Sequence, residues 1–258
     1  MRRLLAVTAV TVLATLLLSG CGGDGSASTA SRPDLKVSAA ASLQRALTAY
    51  GDGFDQARAR FSFAGSDELA AQIRAGGRPD VYAAANAKLP DALHAEGLVD
   101  APVAFARNRL TLAVPAHGAR VASLADLARP GVTLAIGSPT VPIGAYTQTV
   151  LDRLPAAQGK AILANARSQE PDVAGIVGKV SQGAVDAGFV YVSDVQASKG
   201  ELKAVALPDS LQPEVTYEAA VVRGTRHAAA ARAFVAGLVT GAGQRALRAA
   251  GFLPPGAQ

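Results

Sequence analysis

Residues 36–47 read Lys-Val-Ser-Ala-Ala-Ala-Ser-Leu-Gln-Arg-Ala-Leu, and this stretch decides the fold. A short apolar run, Val37 to Ala41, leads into Ser42, and a helical pattern starts directly behind it. Ser42 has the chemistry and the position of an N-cap, where a hydroxyl and unpaired amides face outward. The same device recurs at Ser66 and, in looser form, before Ile143 and Val173. Several helix starts converging on one point would hold a small oxyanion with neutral donors.

Outward from that stretch the pattern is strand, helix, strand, helix. Strands are expected at 35–40, 60–64, 80–85, 110–114, 132–136, 187–192 and 215–222. Helices are expected at 43–54, 67–75, 88–96, 123–128, 142–154, 161–166 and 173–181, with two more at 227–239 and 242–249. Short links between such elements predict an α/β architecture of two lobes, each a mostly parallel sheet flanked by helices. Residues 35–114 with 223–258 would form the first lobe and 115–222 the second. Ligands in such folds sit at the carboxyl ends of the strands, here the crevice between lobes.

The 258 residues suffice for two such lobes. Half are hydrophobic and 17% are charged, which excludes wholesale disorder. The formal charge of +5 is mild, and no Lys/Arg-rich run suggests a nucleic-acid surface. Residues 1–21 read as a signal peptide. Arg2 and Arg3 precede an apolar stretch too short to span a bilayer, ending in Leu18-Ser19-Gly20-Cys21. That ending resembles a lipobox, so Cys21 is the expected site of lipid attachment, and residues 22–34 a flexible tether. Cys21 is the only cysteine, which removes disulfides and multi-cysteine metal sites. Gly20-x-Gly22-x-x-Gly25 straddles the cleavage point, follows no strand and carries no dinucleotide reading.

Each candidate site residue also has an ordinary structural explanation. Ser42 and Ser66 could simply cap their own helices, each worth about 1 kcal/mol. Two of them at successive corners of one parallel sheet, however, line the same edge. Pro142 suits the first turn of a helix and leaves the Ile143 amide among its unpaired donors. Val173 follows the cap Asp172 and offers another amide, and Tyr191 ends a strand with a hydroxyl that can donate. Asp67, Glu68 and Asp172 would repel an anion and are expected to point away from it. No H-E-x-x-H, S-x-x-K, G-x-S-x-G or P-loop pattern is present, and His94, His117 and His227 share no spacing suited to a metal or a catalytic dyad.

The same residues carry a resemblance. The stretches 36–43, 63–85 (FAGSDELAAQIRAGGRPDVYAAA), 105–115 (FARNRLTLAVP), 137–146 (GSPTVPIGAY), 183–194 (GAVDAGFVYVSD) and 251–254 (GFLP) are similar to the molybdate-binding proteins of bacterial ABC importers. The resemblance implies a two-lobed periplasmic-binding-protein fold with no enzymatic activity and no cofactor. It implies molybdate, and tungstate with it, held without a charged side chain by the hydroxyls of Ser42, Ser66 and Tyr191 and the amides of Ile143 and Val173. It also implies a monomer that delivers its cargo to a membrane permease from the outer side of the membrane. Asp67 and Ala174 depart from the family pattern, which often has serine or glycine at the first position and commonly arginine at the second. Sulfate or phosphate as the ligand, and an enzyme acting on a small anion through Ser42 or Tyr191, are the rival readings.

Overall fold

The computed structural model describes residues 32–256. The expected signal peptide, Cys21 and most of the expected tether lie outside them. Ten strands form, β1 Asp34–Ala40, β2 Arg58–Ala64, β3 Val81–Ala84, β4 Val103–Asn108, β5 Leu110–Pro115, β6 Leu134–Gly137, β7 Ala166–Glu170, β8 Ala187–Tyr191, β9 Leu202–Ala206 and β10 Val215–Val221. The α-helices are α1 Gln44–Asp52, α2 Ser66–Arg74, α3 Lys88–Ala95, α4 Pro142–Asp152, α5 Ala156–Ala164, α6 Val173–Ser181, α7 Val192–Ala197, α8 Ala228–Val239 and α9 Ala242–Ala249.

The strands make two sheets of five, ordered β2-β1-β3-β10-β4 and β7-β6-β8-β5-β9. In each, two pairings are parallel and two antiparallel. The antiparallel pairs involve the strand that arrives from the other half of the chain, β10 in the first sheet and β5 in the second. This corrects the expected boundaries. Leu110–Pro115 belongs to the second sheet and Val215–Val221 to the first, so the chain crosses at Arg109 and again between Ala206 and Val215. The apolar run of β5 looks the same whichever sheet buries it, so sequence pattern could not place the crossing.

Strand and helix patterns explain what is buried. In β1, Leu35, Val37 and Ala39 are fully or almost fully buried. They share one core with Leu43, in the turn before α1, and with Ala46, Leu47 and Tyr50 of α1, which recur at helical spacing. One apolar core runs through both sheets, and a smaller one under α2 and α3 gathers Leu69, Ile73, Tyr82 and Leu93. α6 lies close on β8, where a Cβ on Gly188 would collide with the Ile176 side chain and crowd Val180. Gly188→Ala should therefore destabilise the fold by about 1–3 kcal/mol through overpacking, read as a lower urea midpoint with an unchanged m-value.

Candidate functional site

Six chain corners stop at one place between the sheets. Ala40–Ser42 follows β1, Ala64–Ser66 follows β2, and Ala85 follows β3. From the second sheet, Val141–Ile143 opens α4, Asp172 and Val173 open α6, and Tyr191 ends β8. Together these residues line one cavity of about 20 Å3. That is the scale of one or two water-sized spheres, and a larger space of about 1230 Å3 shares Ala41, Ser42 and Val173 with it. Ser42, Ser66, Ile143, Val173 and Tyr191 all belong to the lining of the small cavity, and no Lys, Arg or His does.

Two local expectations are corrected. Ser42 is not an N-cap. A 3-10 turn over Ala41–Leu43 precedes α1, its cap is Ala40, and no side chain bonds its free amides. The Ser42 hydroxyl instead pairs with the Tyr217 hydroxyl at 3.0 Å. Ser66 is the first residue of α2, after Gly65 as cap. Its Oγ accepts the Ala85 amide at 3.1 Å, and its carbonyl accepts the Tyr82 hydroxyl at 2.7 Å. That pins the side chain and leaves its own proton for donation. Asp172 does cap α6, accepting the Gly175 amide at 3.0 Å, and Pro142 does occupy the first turn of α4. First-turn amides of these helices have no intrahelical acceptor.

Tyr191 is 1% exposed, and its hydroxyl has no hydrogen-bond partner among the described residues. Its ring packs edge-on between Tyr146 and Tyr217. Burial pushes the Tyr191 and Tyr217 hydroxyls well above the usual phenol range and Tyr146 up to about 12, so all three stay protonated donors. Asp67 and Glu68 turn aside from the cavity, as expected, but Asp172 does not. Asp67 reaches across the cleft to accept the Thr140 hydroxyl at 3.2 Å, and Glu68 accepts from Gln72 at 3.1 Å. Asp172 lines the cavity, with one carboxylate oxygen committed to its own helix. Tyr217 and the Ala85 amide were missed from sequence. Tyr217 reaches the site only because β10 returns to the first sheet, and a lone aromatic in a strand carries no signal of that.

Two five-stranded mixed sheets joined by crossing strands, with a small ligand cavity between them, define a solute-binding protein of the two-lobed periplasmic type. The chain belongs to the family described as bacterial extracellular solute-binding protein, whose model matches residues 35–253. It is 34% identical over 258 residues to the molybdate-binding protein ModA of Mycobacterium tuberculosis, covering 95% of this chain and 97% of that one. The fold matches the periplasmic molybdate-binding protein of Azotobacter vinelandii with a TM-score of 0.77 at 22% identity, over 86% of this chain and all of the other. It also matches the sulfate-binding protein SubI of M. tuberculosis, at 0.74 and 19% identity, over 86% and 87%. Among the described residues no helix is long and apolar enough to cross a membrane, and no cluster of three metal-ligating side chains occurs.

Asp194 sits behind the site, 8% exposed, and accepts the Tyr191 amide at 2.9 Å. Burial raises its carboxyl from the ordinary 3.8 to about 7, against the pull of that amide and with a further push from Asp172. The native chain then holds a proton between about pH 4 and 7 that the unfolded chain has released, so stability should fall as pH rises through that window. Asp194→Asn keeps an acceptor for Tyr191 and should flatten this slope, measured as the difference in urea midpoint between pH 5 and pH 8. Gly65 marks where the lobes touch. A Cβ there would lie 2.5 Å from the Pro171 carbonyl of the opposite lobe. Its φ of −59° suits any residue, but Gly65 caps α2 and a Cβ there would also lie 2.9 Å from Asp67 Oδ1. Gly65→Ala should therefore cost about 1 kcal/mol of stability, read from the melting temperature. The same variant should prop the cleft open, seen as a larger radius of gyration by small-angle scattering.

Proposed function

We propose that this protein captures molybdate, and tungstate alongside it, and hands it to the permease of an ABC importer without any chemical turnover. The observation that carries the reading is one ion-sized cavity lined from both lobes by hydroxyl and amide donors and by no cationic side chain. The 34% identity to a molybdate-binding protein along nearly the whole chain supports the choice of ion. In this reading the hydroxyls of Ser42, Ser66 and Tyr191 and the amides of Ile143 and Val173 grip the four oxygens. The protein works as a monomer outside the cytoplasm, held at the membrane by lipid on Cys21, and needs no cofactor.

The ion joins the two halves. Each lobe offers about half of the donors, so the dianion bridges them and favours the closed form. Each charge-assisted hydrogen bond contributes about 1.5–3 kcal/mol, and five of them offset the loss of hydration. Molybdate is selected over sulfate by size, since both are tetrahedral dianions. Hydrogen phosphate meets Asp172 in the cavity lining, where the carboxylate charge repels the ion even as it accepts the P–OH proton.

Competition calorimetry with molybdate, sulfate and phosphate tests this. Molybdate should bind tightest and phosphate weakest, and a preference for phosphate would overturn the choice of ion. Ser66→Ala and Tyr191→Phe should each weaken molybdate by roughly 10- to 150-fold, the equivalent of one charge-assisted bond.

A further inference from the structure

One side of the β1–β2 pair lacks the cover that a sheet face normally has. The register sets Asp34 beside Arg58, Lys36 beside Arg60 and Ser38 beside Ser62, all on the same side. The alternate residues Leu35, Val37, Phe61 and Phe63 face the core. α2 passes over the polar side, yet its Leu69, Ala70 and Ile73 pack into the cluster with Tyr82 and Ala84 of β3 and Ala220 of β10. The space left above β1 and β2 is a cavity of about 390 Å3, and Lys36, Ser38, Arg60, Ser62, Gln72 and Arg78 contribute to its wall.

The charge there is unbalanced. Lys36 and Arg60 stand directly opposite on neighbouring strands, an unfavourable placement for like charges. Asp34 lies at the outer end, accepting from Arg58 at 2.6 Å and from Arg60 at 3.3 Å. Asp80, the nearby buried carboxylate, is fully engaged. One oxygen accepts the Lys36 backbone amide at 2.6 Å, and the other accepts the Thr225 hydroxyl and faces His227 Nδ1 at 3.2 Å. The Lys36 ammonium and the Arg78 guanidinium have no ion-pair partner among the described residues.

We infer that this cavity is a second anion site, separate from the interlobe cleft, and that it takes a phosphate group. Three cations answer a charge that keeps part of its hydration, which the small neutral cleft does not admit. The Ser38 and Ser62 hydroxyls accept as well as donate, so a P–OH proton is satisfied here. The Arg60 and Arg78 guanidinium forks match two phosphate oxygens. Either a phospholipid headgroup or a soluble phosphate supplies that chemistry.

The test uses the full chain carrying Cys21→Ser, so that no lipid can be attached, saturated with molybdate to fill the cleft. Inorganic phosphate is titrated by calorimetry. In parallel the protein is floated with phosphatidylcholine vesicles with and without phosphatidylglycerol. Phosphate should bind the saturated chain, and Lys36→Gln with Arg78→Gln should weaken it at least 10-fold while molybdate affinity stays unchanged. Ser62→Asp, at an exposed position, places a carboxylate in the cavity and should abolish phosphate binding by a second route. Flotation with phosphatidylglycerol only, lost in the same variants, assigns the phosphate to a lipid headgroup. Phosphate binding without flotation assigns it to a soluble ligand. Neither phosphate nor vesicle binding, or equal binding by the variants, overturns the inference. Should molybdate not bind at all, the cleft reading fails instead. The same titration on the Ser42→Ala, Ser66→Ala chain then still decides the second site.

Discussion

A tetrahedral dianion surrenders its water only to donors already in place and aimed at one point, and that requirement accounts for the architecture around the cleft. A helix start offers several unpaired amides at once, at no cost in side-chain ordering. Here the starts of α2, α4 and α6 and the turn before α1 all open on the same cavity. They do so because each follows the carboxyl end of a strand, and the parallel strands of the two sheets end facing each other. Reversing any one of β1, β2, β6 or β7 would carry its donors to the far side of its sheet.

Neutral donors set a different balance from cations. A lysine in the cavity would bind any anion strongly and distinguish little among them. Amides and hydroxyls fixed by their own partners give less attraction but a rigid shape. Ser66 is clamped through Ala85 and Tyr82, and Ser42 through Tyr217. The buried tyrosines stay protonated, so the site presents donors across the physiological range. Asp172 borders the cavity without spoiling it because the Gly175 amide takes up one of its oxygens. The polar cavity over β1 and β2 follows the opposite rule, with cations in a larger space.

Most of the central elements could be read from the chain because their residues are apolar at a recognisable period. β3 and β8 are continuous apolar runs, β1 and β10 alternate apolar with polar residues, and α6 announces itself with Asp172 and the spacing Val173, Ile176, Val180. What escaped was peripheral. β4, β7 and β9 each have only one neighbour in their sheet, and Ala-Arg-Ser-Gln-Glu or Leu-Lys-Ala-Val-Ala alternates too weakly to mark a strand. α7, six residues long, was hidden in the tail of β8. The site fared better than its local geometry. All five expected residues share one cavity, yet Ser42 and Ser66 were expected to be caps. Sequence shows that a serine sits at a corner, but which group it pairs with depends on partners that arrive 19 or 175 residues later.

The closing contact between the lobes also follows from this arrangement. Gly65 lets the loop after β2 meet the Pro171 carbonyl, and two residues on, Asp67 takes the Thr140 hydroxyl from the opposite lobe. Its other carboxylate oxygen is buried without a partner among the described residues. An unpaired buried polar group costs about 1–3 kcal/mol, set here against the hydrogen bonds that join the lobes. Against it stand the Thr140 contact and the Arg45 guanidinium, which donates to the Gln196 carbonyl at 3.1 Å.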